Sequence, residues 1–149
     1  KAIESIENRK QELHINFSDT EYHKILTCDE IVISNVRFER NLDFEGEARD
    51  LEISIEPEYG ISEQPQDRIS RLRLRFSAGE EGSDDFPFYC NMEVIGVFSW
   101  DGWDDEEAEK LVSSQGMQLV MSFVRSKFYS LQKDAGLDPV VLPSMEFEA

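Results

Sequence analysis

Basic residues are scarce in this chain: 15 lysines and arginines stand against 32 aspartates and glutamates, a net charge of −17 over 149 residues. Nucleic acid and anionic membrane surfaces are poor partners for such a chain, because both repel it before contact forms. Basic or unfolded polypeptides fit better. Long apolar runs are also missing, and none approaches the roughly 20 residues that a membrane-spanning helix needs, so no direct membrane insertion is expected. Cysteine is limited to Cys28 and Cys90, far apart and each in or beside a strand-like run. They are expected as reduced, buried thiols of a cytoplasmic protein rather than as a disulfide. The first residues lack a basic start, apolar block and small-residue cleavage site, so secretion is not expected. The sequence opens on Lys1 rather than methionine, consistent with a natural start upstream.

Catalytic machinery is equally thin. The two histidines, His14 and His23, match with Cys28 neither a helical i, i+4 metal pair nor a finger pattern. No Gly-rich phosphate loop, Gly-x-Ser-x-Gly elbow or His-Glu-x-x-His helix occurs. Acid–base chemistry would fall to carboxylates, and nothing singles out one pair among so many. The acidic run Asp101, Asp104, Asp105, Glu106, Glu107 and Glu109 lacks the alternating ligands and glycine of a calcium loop. It suits the positive end of a helix dipole instead. The expectation is a protein that is not an enzyme and uses no metal or cofactor.

What the chain does have is a core. Its residues are 40% hydrophobic and 11% aromatic, enough to fold as one domain. The organising stretch is Phe88 to Trp100, read as a central strand. Phe88, Cys90, Met92, Val94, Phe98 and Trp100 share one parity with Gly96 bare among them, while Tyr89, Ile95 and Val97 alternate with Asn91, Glu93 and Ser99 on the other. Ahead of it lie a strand over 29–40 with a bulge at Ser34-Asn35, a loop over 41–49, and a strand through Leu51, Ile53 and Ile55 that Pro57 is expected to stop. A clear third strand follows over 69–77. There Leu72, Leu74 and Phe76 point inward and Arg71, Arg73 and Arg75 outward, either pairing across strands with Glu52, Glu56 and Glu93 or forming an anion-binding stripe. A Gly-rich acidic link over 78–85 then makes a hairpin into the central strand.

Residues 1–26 carry a thin apolar series that fits weak amphipathic helix, with Ser18 and Glu21 as a capping box. Residues 1–28 are taken as an accessory segment and 29–149 as the main domain. A helix is expected from about Asp104 to Lys133, stopped by Gly136. Its largely apolar arc, through Val112, Gly116, Met117, Leu119, Val120, Met121, Phe123, Val124, Lys127, Phe128 and Leu131, spans roughly 200°. That is wider than one sheet covers, so another subunit is expected on Leu119, Val120 and Phe123, with Gly116 allowing another backbone close. The tail from Leu137 to Phe147, with prolines at 139 and 143, is expected as an extended apolar strip.

Central strand, acidic turn, long helix and proline-punctuated tail together resemble the SecB family of export chaperones. The similarity is carried by Phe88-Tyr-Cys-Asn-Met-Glu-Val-Ile-Gly-Val-Phe-Ser99, by the helix around Phe123-Val-Arg125, by Leu142-Pro-Ser-Met-Glu-Phe147 and by the stretch Ile33 to Arg40. The resemblance implies an α+β fold, a four-stranded antiparallel sheet with one long helix packed across it and an extra N-terminal segment. It also implies a homodimer or homotetramer formed through the first strand (Ile33, Val36) and the helix. The function implied is an ATP-independent holdase for unfolded or nascent polypeptides in protein export. The client surface would be Trp100, Trp103, Met117, Met121, Val141 and Leu142. Arg71, Arg73, Arg75 and Glu93 would form a partner-docking sheet face, for the motor SecA in the family. The three arginines interrupt the acidic character of that face, which sets delivery to SecA apart from chaperoning itself. Solitary relatives serve antitoxins of toxin–antitoxin systems, so an antitoxin or another single partner is the alternative client. The sequence departs from the family in ending at Ala149, so that the family's second C-terminal helix is either absent or trimmed, and in lacking the proline ahead of the Arg125 position.

Overall fold

The computed structural model describes residues 11–14, 25–46, 50–61, 68–101 and 104–143. Strand β1 spans Gln11–His14, β2 Ile25–Arg40, β3 Ile53–Ile61, β4 Ile69–Ala78 and β5 Phe88–Asp101. They form one antiparallel sheet in the order β1-β2-β5-β4-β3. Four long strands thus carry the sheet, and short β1 extends its edge beside residues 25–28 of β2. The helical reading of the N-terminal segment fails at 11–14, where pairing with β2 overrides a weak apolar period. The proposed cap at Ser18 and Glu21 lies outside the described residues. β2 starts at Ile25, so the strand crosses the boundary drawn at residue 28.

Two register shifts shape β2. The one between Ile33 and Asn35 is the expected bulge, and a second lies between Cys28 and Glu30. Each moves the parity by one residue, so Leu26, Cys28, Ile31, Ile33, Val36 and Phe38 all stand opposite inward residues of β5. Pro57 does not end β3, which continues to Ile61. β3 is an edge strand, where a residue without N–H is tolerated because one side of the strand has no ladder to complete.

Helix α1 spans Asp105–Leu111, a π-turn follows over Val112–Gly116, and α2 runs from Met117 to Asp134. The start is capped by Asp104, whose Oδ1 accepts from the Glu107 N–H at 2.8 Å, with Asp105, Glu106 and Glu107 in the first turn. The end is a Schellman motif. Gly136, at φ +78°, donates to the Lys133 carbonyl, and Leu137 donates to that of Gln132. Arg40, at the end of β2, adds a bond from Nη1 to the Ala135 carbonyl at 2.6 Å.

The core lies between the helices and one face of the sheet. Leu72, Leu74, Phe76, Cys90, Met92, Val94 and Phe98 meet Val112, Met117, Val120, Met121, Val124 and Phe128, all buried. Phe128 stacks edge-on against both Phe76 and Phe88. The Phe98 ring lies between two glycines. A Cβ on Gly96 would come within 2.9 Å of both Phe98 and Val120, and one on Gly116 within 3.1 Å of Phe98. Bare strand and bare helix turn therefore sandwich one ring, and the helix is drawn close to the sheet.

Candidate functional site

The sheet face away from the helices collects Arg71, Arg73, Arg75 and Glu93. Register places Glu56, Arg75 and Glu93 in one row, and Glu58, Arg73 and Ile95 in the next. Arg75 Nε lies 3.4 Å from Glu93 Oε2, and Arg73 lies 3.7 Å from both Glu93 and Glu58. Of the two readings of the ladder, cross-strand pairing therefore accounts for Arg73 and Arg75, through Glu93 as expected and through Glu58 in place of Glu52 and Glu56. Arg71, between Gly60 and Val97, has no ion pair among the described residues. Glu93 also accepts from the Ser34 hydroxyl at 2.9 Å. That bond first, and the arginines after it, hold its carboxyl below the ordinary 4.5. Val32, Ile95 and Val97 make the middle of this face apolar.

The proposed client residues fare differently. Trp100, Met117, Met121 and Leu142 are 5%, 1%, 0% and 2% exposed, members of the protein's own core. They offer no surface to a client in this conformation, because each is packed within the protein's own core. Val141 is 66% exposed, and Trp103 lies outside the described residues. Of the residues assigned to subunit contact, Gly116 and Val120 are corrected in the same way. Gly116 receives the Phe98 ring rather than another backbone, and Val120 is packed over Gly96. Ile33, Leu119 and Phe123 are half-buried and Val36 is 44% exposed.

Neither a protein-family model nor a curated protein matches the sequence. Among solved structures, the chain is similar to the SecB-like chaperone Rv1957 of Mycobacterium tuberculosis in complex with a ChAD peptide from the antitoxin HigA1. The TM-score is 0.62 at 15% identity, covering 81% of this chain and 88% of that one. This chain has the SecB-like fold. A protein of unknown function from Streptococcus agalactiae covers 82% of this chain and 97% of its own at 12% identity, with a TM-score of 0.40, too loose a likeness to bear on the fold.

Within the SecB-like frame, the tail holds the residue that sequence reasoning passed over. Gln132 is fully buried on α2. Its Nε2 donates to the Val140 carbonyl at 3.0 Å and to the Phe128 carbonyl at 3.3 Å, while its Oε1 accepts from the Val140 N–H at 2.8 Å. Four residues beyond Phe128, it continues the edge of the apolar arc as a polar position, and unlike Lys127 on the same arc it is fully buried. That interruption was the available signal. Both cysteines are free and buried, and burial pushes Cys90 up to about 12 and Cys28 up to about 11. Among the described residues, no helix is long and apolar enough to cross a membrane, and no three His, Cys, Asp or Glu are grouped to hold a metal.

Proposed function

We propose that this protein is an ATP-independent chaperone of the SecB type, a cytoplasmic homo-oligomer that holds unfolded or nascent polypeptides in extended form. The observation that carries this reading is the fold shared with a chaperone that was solved with a peptide bound. The acidic surface supports it, because charge of one sign keeps a client-laden particle from associating with others. Subunits meet through β2 and the helix. Among the described residues β1 pairs with β2 only at residues 25–28, and beyond them no described strand lies on that side while Val32 and Val36 are 38% and 44% exposed, a state that favours pairing with another chain. The test is suppression of aggregation of several denatured substrates without nucleotide. No suppression of any of them overturns a general holdase. Mass measurement in solution checks assembly, and a clean monomer at micromolar concentration contradicts the β2 and helix interface.

A second reading, a chaperone dedicated to one antitoxin or similar partner, is favoured by the antitoxin peptide bound in the similar structure. Capture of one stoichiometric partner selects it over export service. Docking of SecA on the Arg71, Arg73, Arg75 and Glu93 face belongs to the export reading, and alanine at Arg71, the arginine with no described ion pair, tests it by loss of binding.

A further inference from the structure

We infer that the place now occupied by Val140–Leu142 is a peptide-binding site, which takes an extended apolar segment of a client and which the protein's own tail fills in the free state. The inference rests on the chaperone reading and names where such a client would sit. Three observations carry it. The carboxamide of Gln132 bonds both the N–H and the C=O of Val140, so it reads main chain alone and is indifferent to the side chain attached. The side chains of Val140 and Val141 confirm this indifference, being 44% and 66% exposed. Two residues on, Leu142 is 2% exposed within the core. The recognition rule is therefore short: a free main-chain N–H and C=O at one residue, and an aliphatic side chain at the second residue after it. Polypeptides that have not folded satisfy that rule often, and folded ones hide both elements.

Pro139 and Pro143 flank the segment and keep it from joining a helix or a strand ladder. Within it, the Gln132 carboxamide ties down Val140 through both main-chain groups. The tail covers a site whose buried Gln132 would otherwise leave polar groups unsatisfied, at a cost of about 1–3 kcal/mol. A client supplying the same main-chain pair and one aliphatic side chain replaces it with little net change. Exchange of tail for client then needs no nucleotide.

The experiment uses the full chain and a synthetic capped hexapeptide, Asp-Pro-Val-Val-Leu-Pro, the sequence of residues 138–143. Hydrogen exchange at the Val140 amide reads the tail directly. Saturating peptide is expected to accelerate that exchange at least about tenfold, the scale of losing one such bond. A peptide with proline for its first valine, which lacks the N–H, is expected to have no effect. In Leu142→Asp the tail is released, and the peptide is expected to bind about tenfold more tightly than to wild type, provided the circular dichroism is native. If that variant does not fold, the Val140 exchange of the wild type decides alone. Val140 protection unchanged by peptide, or changed equally by the proline peptide, overturns the site. Aggregation suppression with unchanged Val140 protection sinks this inference and leaves the holdase standing. Displacement by peptide without suppression does the reverse.

Discussion

The two faces of β5 differ in what holds them. On the helix side, Cys90, Met92, Val94 and Phe98 are fully buried and apolar, and their side chains stabilise the chain through packing. On the other side, Tyr89, Glu93, Ile95, Val97 and Ser99 are half-covered, and Glu93 is paired with Arg73 and Arg75 of β4. One strand therefore packs into the core on one face and carries paired charges on the other. The difference teaches that packing and charge pairing are separated by parity. A substitution is expected to disturb one of them according to the direction in which its side chain points.

The strongest way to break the separation is Phe98→Ala. It removes the ring that Gly96 and Gly116 enclose, and a large-to-small change in a core that cannot collapse costs about 3–5 kcal/mol. Chemical denaturation checks it. If the loss is under about 1 kcal/mol, helix and sheet are not locked through this ring. Gly96→Val comes next, since its Cβ would sit 2.9 Å from Val120 Cγ2 and Phe98 Cε2. Overpacking of this kind costs about 1–3 kcal/mol. Phe98→Leu in the same chain is expected to restore part of it, because the smaller side chain frees the space. Smaller still, and silent in the free energy, is the thiol test. With both thiols pushed up by burial, a thiol reagent at neutral pH is expected to label Cys28 and Cys90 only as fast as the protein unfolds. Labelling of either at the rate of a free thiol would show the core to be open.

Much of this architecture was legible because period-2 patterning is strong where one face is dry. β4 and β5 were drawn to within one residue, and the Ser34 bulge was visible as a parity change in β2. The helix, its Asp104 start and its Gly136 stop were legible from capping chemistry. What was not legible depends on partners distant in sequence. Pro57 is compatible with a strand only because β3 lies at an edge, a fact of topology. β1 forms because β2 extends beside it, and four residues have no period of their own. The site residues failed most, since Met117, Met121 and Trp100 look the same in sequence whether they face a client or their own sheet. Gln132 was missed because a single glutamine on an apolar arc reads as noise until its partner, eight residues on, is seen to be main chain.

The smallest effect belongs to the exposed face and tests whether its charges matter to folding at all. Glu93→Gln keeps the shape and removes the charge that Ser34, Arg75 and Arg73 surround. Partly exposed pairs of this kind contribute no more than about 1 kcal/mol, so at pH 7 the variant is expected to be nearly as stable as wild type. The carboxyl is held below its ordinary 4.5 in the folded state. Its contribution is therefore complete above that value and is lost as pH falls through the depressed one, because protonation then costs the folded state more than the unfolded one. Wild type and variant should converge in stability below that range and separate slightly above it. Thermal unfolding across acid pH reads the difference, and a gap that instead widens toward low pH would mean that Glu93 is strained by its neighbours. The arginines would then be free to serve a docking partner rather than the sheet.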